Sequence, residues 1–82
     1  MTRNDFRRRV GSAIRDRRVT LRVSQEAFAD RIGMHRTYFG TVERGEKDFR
    51  LSTLLRVAAG LGVPLSRLLN EVEREGGSGS IP

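Results

Sequence analysis

The 82-residue chain has no cysteine and a single histidine. Without cysteine there is no disulfide framework, and His35 alone cannot supply the ligands of a structural zinc site. No apolar run approaches the roughly 20 residues that span a bilayer, and no signal-peptide core is visible. These absences predict a cytoplasmic protein with no metal, no cofactor and no contact with a membrane.

The groups that enzymes most often use are scarce as well. The sequence Gly60-Leu61-Gly62 lies at a predicted helix end, without the strand that precedes a phosphate-binding glycine loop. The carboxylates lie among arginines, in no paired arrangement that would raise the pKa of one of them for acid catalysis. We therefore expect a binding protein and not an enzyme.

The size of the chain predicts self-association. A length of 82 residues allows one small domain, and 37% apolar residues can form only a modest core. A domain of this size usually needs disulfides, a metal or a partner subunit. Because the first two are excluded, we expect a homodimer.

Positive charge is concentrated in the first part of the chain. The formal charge is +6; residues 1–50 carry 13 basic and 7 acidic side chains, whereas residues 51–82 carry 3 of each. A cationic half predicts contact with a polyanion. Composition alone leaves the alternative of a solvated, arginine-rich helix face open.

Apolar residues recur at helical spacing along the chain, without an alternating strand pattern or an internal repeat. The spacing predicts an all-α fold of five short helices, which begin near residues 4, 25, 35, 51 and 64. Ser24 is the expected N-cap of the second helix, and Pro64 fits the first turn of the fifth. We expect one folded domain over residues 1–75 and a flexible Gly/Ser-rich tail over residues 76–82.

The second and third predicted helices, within residues 25–44, are joined by so short a turn that they must cross steeply. Gly33 supplies the turn, and Ala29 is small where the two helices approach each other most closely. The apolar residues expected to seal this pair against the other helices are Phe28, Ile32, Met34, Phe39 and Val42.

The outer face of the third helix carries groups that can hydrogen-bond to base edges or phosphates. Arg36 is the residue expected to read sequence, because its planar guanidinium can bind O6 and N7 of guanine together. Thr37 and Thr41 suit either a base or a phosphate. Tyr38 suits a phosphate, thymine methyl groups or half-buried packing. His35 is also a candidate DNA contact on this face, although capping or surface exposure is its simpler role.

Phosphate contacts are expected on both sides of these residues. Gln25 starts the second helix, where its side chain and the free backbone N–H groups suit a phosphate. Arg44 and Lys47 are the other expected phosphate contacts, with a solvated surface as the alternative.

Residues 25–44 resemble the helix-turn-helix of the phage-repressor-like (XRE) family of transcription regulators, and the similarity extends over about residues 8–70. Two short sequences, His35-Arg36-Thr37-Tyr38 and Glu43-Arg44-Gly45-Glu46-Lys47, are similar to a narrower group that includes the controller proteins of restriction–modification systems. The resemblance implies a five-helix, lambda-repressor-like domain whose third helix enters the DNA major groove. It also strengthens the expected phosphate contact of Gln25.

Glu43 would repel DNA if it faced the groove, so we expect an internal ion pair with an arginine of the first helix. The resemblance points to Arg18, with Arg15 as the alternative. Such a pair would be structural.

Two residues depart from the family pattern. Asp48 stands where the family usually has Asn, and a carboxylate there loses the usual phosphate contact. Arg50 stands where Ser or Thr often caps the fourth helix, so Ser52 could shift the helix start. Arg50 could instead supply the phosphate contact that Asp48 forfeits.

These features predict a transcription regulator that binds a palindromic double-stranded DNA operator as a homodimer, with RNA polymerase as a possible further partner. The apolar residues of the neutral C-terminal third are candidates for both the core and the dimer interface. They are Leu51, Leu55, Val63, Leu65, Leu68, Leu69 and Val72. The alternative is a protein-interaction module, such as the antitoxin of a toxin–antitoxin pair, with DNA contact secondary.

Overall fold

Residues 2–80, whose backbone the structure describes, form five α-helices and no strand. The structure is a computed structural model, and it describes side chains for residues 2–74. The all-α prediction is confirmed. The helices are α1 (Arg3–Thr20), α2 (Gln25–Arg31), α3 (Arg36–Arg44), α4 (Leu51–Leu61) and α5 (Leu65–Ser80).

Side chains cap the first three helices at their N-termini. Thr2 and Asp5 form a capping box at the start of α1, and the hydrogen bonds from Thr2 hold the pKa of the Asp5 carboxyl below its usual value. The Ser24 hydroxyl accepts a hydrogen bond from the Ala27 N–H at 3.0 Å. These bonds satisfy donors that have no partner inside their helices.

The last two helices begin at or within one residue of their predicted starts. α4 begins at Leu51, as the apolar spacing predicts, and Ser52 does not shift the start; the Arg50 carbonyl accepts from the Leu54 N–H at 3.1 Å, and the Arg50 side chain makes no capping bond. Pro64 stands one residue before α5, where its carbonyl accepts from the N–H groups of Arg67 and Leu68. At both starts a backbone carbonyl therefore accepts the first hydrogen bonds of the helix.

α5 is longer than the sequence predicts. It runs to Ser80, into the Gly/Ser-rich segment expected to form a tail, and no proline stands between its first residue and Ser80 to interrupt it. Flexibility of residues 76–80 stays a prediction, and residues 81–82 lie outside the part that the structure describes.

The turn between α2 and α3 depends on Gly33, whose φ of 66° lies in the left-handed region. The Gly33 N–H bonds to the Asp30 carbonyl, and the Met34 N–H bonds to the Ala29 carbonyl at 2.9 Å. Ala29 is fully buried at the crossing of the two helices. The turn therefore takes only a few residues, and α3 packs directly against α2.

The core takes buried side chains from all five helices. Phe28 of α2 and Phe39 of α3 lie at its centre, with ring centroids 5.2 Å apart. Ile32, Met34 and Phe49 are half-buried and pack against it. The other buried apolar residues are Val10, Ile14, Ala29, Val42, Leu54, Val57, Ala58, Leu61, Leu68 and Val72.

α1 packs directly against α3 because residue 11 is glycine. A Cβ at Gly11 would lie 2.3 Å from the Glu43 carbonyl oxygen and 2.7 Å from that of Val42. An ion pair between Arg17 and Glu71 joins α1 to α5 as well. α1 therefore supports α3 from behind, and the opposite face of α3 stays open.

No helix within the described residues is long and apolar enough to cross a membrane.

Candidate nucleic-acid interface

α3 stands as a ridge between two open surface grooves. The first, about 530 Å³, is the α2–α3 groove, lined by Ser24, Gln25, Glu26, Arg36, Thr37, Gly40 and Arg44. The second, about 580 Å³, is the α3–α4 groove, lined by Gly33, Met34, His35, Tyr38, Asp48, Arg50, Ser52, Thr53 and Arg56. Most residues that line the two grooves are polar or charged, and both grooves contain arginines, so α3 and the grooves beside it suit a polyanion whose polar edge can be hydrogen-bonded.

Arg36, the expected base-reading residue, is the first residue of α3 and lies on the exposed ridge. Its Nη1 is 3.0 Å from Oε2 of Glu26, and both side chains are 64% exposed. The pair joins the first turns of α2 and α3 across the α2–α3 groove. Solvent weakens an ion pair as exposed as this one, so the contact with Glu26 leaves the Arg36 guanidinium accessible to a ligand.

The other predicted contacts of α3 differ in how freely they face solvent. Thr37 is exposed in the α2–α3 groove, whereas Tyr38 is half-buried and packs against the core. The Thr41 hydroxyl donates to the Tyr38 carbonyl at 2.6 Å, so its hydrogen is bonded within the helix and is not free to donate to DNA. His35 is the N-cap, and its Nδ1 accepts from the Thr37 N–H at 3.1 Å. Thr37 is therefore the better placed threonine, and His35 takes the capping role.

Arg44 folds back along the last turns of α3. Its Nη1 lies so close to Gly40 that a Cβ there would be 3.1 Å away. Its Nε donates to Oε2 of Glu46 at 3.0 Å, and this bond raises the pKa of the Arg44 guanidinium and lowers that of the Glu46 carboxyl. The side chain is 56% exposed, so Arg44 keeps its charge and stands at the edge of the groove.

A buried ion pair lies behind Gln25. Arg18 donates to both carboxylate oxygens of Glu43, at 2.6 and 3.0 Å, and to the Val23 carbonyl at 2.9 Å. Arg18 rather than Arg15 is thus the partner in salt-bridge range of Glu43, and the bond to Glu43 raises the pKa of the Arg18 guanidinium. The Gln25 amide donates to Oε1 of Glu43 at 2.9 Å. Glu43 therefore points into the protein and fixes Gln25 at the groove edge.

Further basic and hydroxyl groups adjoin these residues, and the sequence analysis did not assign them to the interface. A third groove, the α1–α3 groove, is lined by Ser12, Arg15, Arg18, Gln25, Glu43 and Arg44. Ser12 and Arg15 are exposed in it. Ser12 and Arg15 are three residues apart and therefore lie on one face of α1, opposite Ile14. This polar face could have indicated from the sequence that the two residues belong to the interface.

Asp48 pairs with arginines of α1, although its side chain stays 61% exposed at the α3–α4 groove. The Arg7 guanidinium donates to Asp48 Oδ1 at 3.0 Å, and Arg3 lies 3.9 Å from the other oxygen. Arg50 and Lys47 are exposed on either side of it. Asp48 therefore links the α3–α4 loop to α1, and Arg50 and Arg56 are the basic groups that the α3–α4 groove presents.

The candidates for the dimer interface divide into core and surface. Leu68 and Val72 are 0% and 1% exposed, so they belong to the core of the single chain and offer no surface to a second copy. Leu51 and Leu55 are 66% and 52% exposed and lie one turn apart on α4. The half-buried candidates are Val63, Leu65 and Leu69.

Comparison with known proteins agrees with this geometry. A family model described as a helix-turn-helix domain matches residues 9–70. The chain is 37% identical over 73 residues to the control protein C.MunI from Mycoplasma sp, covering 88% of this chain and 99% of that protein. It is 38% identical over 65 residues to the control protein C.SmaI from Serratia marcescens, covering 79% and 77%.

A solved structure shows the same arrangement of helices. The restriction–modification controller protein C.AhdI from Aeromonas hydrophila superposes with a TM-score of 0.72 at 33% identity, covering 74% of this chain and 92% of that one. The resemblance to the controller proteins is thereby confirmed, and the relatives are regulators and not enzymes. The protein belongs to the helix-turn-helix domain family of DNA-binding transcription regulators.

Proposed function

We propose that this protein is a transcription regulator of the restriction–modification controller type, which binds a palindromic DNA operator as a homodimer. α3 enters the major groove, Arg36 reads a guanine and Thr37 contacts a neighbouring base. The observation that carries the proposal is the position of α3, with its exposed Arg36, as a ridge between two grooves that present basic groups.

The grooves suit the two sugar–phosphate backbones that border a major groove. On the α2 side, Gln25 and Arg44 meet one backbone, and Arg15 of α1 extends that contact. On the α4 side, Arg50 and Arg56 meet the other. These contacts hold the protein in register without reading sequence, and Arg36 supplies the reading.

A second copy of the chain covers the exposed leucines of α4. Leu51 and Leu55 form an apolar pair on the surface of a chain whose core is small, and self-association buries them. Two-fold symmetry then places two α3 helices about 34–36 Å apart, in successive major grooves. The dimer carries twice the +6 charge of one chain on DNA and meets RNA polymerase where the operator adjoins a promoter.

The alternative of a protein-interaction module has less support. The exposed apolar pair lies on α4, whereas the open face of α3 carries Arg36, Thr37 and Arg44, which suit DNA better than an apolar partner.

Binding-site selection from random duplex DNA tests the proposal. The wild-type protein should select a palindrome with a guanine in each half-site, and Arg36→Ala should lose that guanine preference, worth about 1–3 kcal/mol, while the rest of the site is kept. Arg44→Ala is the control: it should weaken binding to every duplex and lower the slope of log K against log salt by about 0.9 per lost phosphate contact. Unchanged selection by Arg36→Ala would remove Arg36 from base reading, and no selection by the wild type would refute the function.

A further inference from the structure

A carboxylate on the DNA-facing surface needs an explanation, and Glu26 is such a group. It lines the α2–α3 groove beside Arg36, and its side chain is 64% exposed. Glu43 points into the protein, Asp48 pairs with Arg7 of α1, and Glu46, which pairs with Arg44, lies outside this groove. Among the described carboxylates, Glu26 alone lines the α2–α3 groove, where it repels phosphate.

The contact between Glu26 and Arg36 leaves part of the guanidinium unused. One nitrogen, Nη1, lies 3.0 Å from Oε2 of Glu26. A guanidinium has five N–H donors in a planar fork, so donors remain for a second acceptor while the first contact persists. Glu26 can therefore hold Arg36 from the side of α2 while Arg36 binds DNA.

The charge of the second acceptor decides whether this arrangement is favourable. A phosphate oxygen carries negative charge and is repelled by the nearby Glu26 carboxylate, whereas O6 and N7 of guanine are neutral acceptors and are repelled far less. An arginine without Glu26 would bind a phosphate readily, because phosphates dominate affinity for DNA of any sequence.

We propose that Glu26 is a specificity-determining residue, which directs Arg36 away from phosphates and toward the guanine edge. The inference rests on the proposed function, since it needs a DNA site that the protein selects. Glu26 acts as a positioning residue through Arg36 and contacts no base itself. Its presence lowers affinity for random DNA more than affinity for the operator.

The chain offers a matched control at the other end of α3. Glu46 contacts Arg44 at 3.0 Å, with the two side chains 53% and 56% exposed, but Glu46 lies outside the α2–α3 groove. Arg44 is a proposed phosphate contact, so that removing the charge of Glu46 should strengthen binding to operator and random DNA by the same factor.

Fluorescence anisotropy with the selected operator and a scrambled duplex gives the test. Glu26→Gln should lower the ratio of operator to random affinity about twofold to fivefold per half-site, the range of an exposed ion pair, mainly because random DNA binds more tightly. Glu46→Gln should leave that ratio unchanged. In the Arg36→Ala background, Glu26→Gln should no longer change the ratio.

The outcomes separate the inference from the function. If the wild type selects an operator but Glu26→Gln and Glu46→Gln change the ratio equally, the specificity role is refuted while the regulator stands. A ratio that falls equally with and without Arg36 would mean that Glu26 affects sequence preference independently of Arg36, and would also refute the role. Selection of no sequence by the wild type would overturn both proposals.

Discussion

Burial divides the ion pairs of this protein into two kinds with different tasks. The Arg18–Glu43 pair has side chains only 11% and 3% exposed, and its oxygens also accept from the Gln25 amide. The Arg36–Glu26 and Arg44–Glu46 pairs are more than half exposed. A buried pair fixes structure because breaking it leaves a charge without solvent, whereas exposed pairs exchange partners at little cost. The exposed pairs are therefore suited to DNA contact and the buried pair to support.

Glu43→Gln should destabilise the protein by about 3–5 kcal/mol, because Arg18 remains charged and buried without its partner. Chemical denaturation followed by circular dichroism measures the free energy of unfolding. Glu46→Gln is the control, since the exposed pair it breaks contributes less than about 1 kcal/mol. Equal unfolding free energies for the two variants would contradict the structural role of Glu43.

At the scale of the helices, the sequence predicts which segments are helical better than it predicts where each helix ends or which helices pack together. The apolar spacing identifies all five helices because each has one buried face. The start of α4 at Leu51 agrees with the prediction although Arg50 offers no side-chain cap, because the Arg50 carbonyl accepts the first helical hydrogen bond. α5 extends beyond its predicted end because glycine weakens a helix without blocking it, and no proline stands between Leu65 and Ser80.

The residues of the candidate interface that lie on α3 could be predicted from the sequence. Those brought to the site by the packing of several helices could not. Arg36 and Thr37 follow from the outer face of α3. Arg15 joins the site only because α1 packs against α3, a contact between residues distant in the chain. Such contacts depend on packing geometry, which helical periodicity does not contain.

Two glycines show how packing decides the effect of one substitution on a helix. Gly11→Ala should destabilise the protein by at least about 2 kcal/mol, because the new Cβ would lie 2.3 Å from a backbone oxygen of α3 that cannot move alone. Gly40→Ala should stabilise it by about 0.5–1 kcal/mol, because alanine favours the helix and the nearest atom is the mobile end of Arg44.

The two glycine variants also test whether the stability of the protein and its affinity for DNA change independently. Gly40→Ala displaces the Arg44 guanidinium, so that the more stable protein should bind all DNA more weakly, as measured by anisotropy alongside thermal unfolding. Tighter binding by Gly40→Ala, or a stable Gly11→Ala variant, would show that the packing around α3 is looser than the structure indicates.

At the scale of the whole molecule, the excess positive charge and the exposed leucine pair of α4 lie in different parts of the chain. The excess positive charge lies within residues 1–50, which contain α1 to α3, whereas the exposed leucine pair lies on α4. A two-fold dimer through α4 would therefore join two chains without covering either α3 ridge. In the proposed arrangement each surface has one partner: DNA for the α3 ridge and the grooves beside it, and a second copy for the leucine pair of α4.

Replacing Leu51 and Leu55 with Gln should separate the dimer into folded monomers. Both side chains are more than half exposed in the single chain, so the change leaves the core intact while it removes the apolar area that a second copy would bury. Sedimentation equilibrium should show a dimer dissociation constant at least about tenfold higher, since each 1.4 kcal/mol of lost burial is a factor of ten. Val19→Gln, at 55% exposure on α1, is the matched control and should leave the dimer unchanged. The leucine variant should bind the operator more weakly than the wild type, because its monomers bind the two half-sites independently. If the variant remains dimeric, the interface lies elsewhere on the protein.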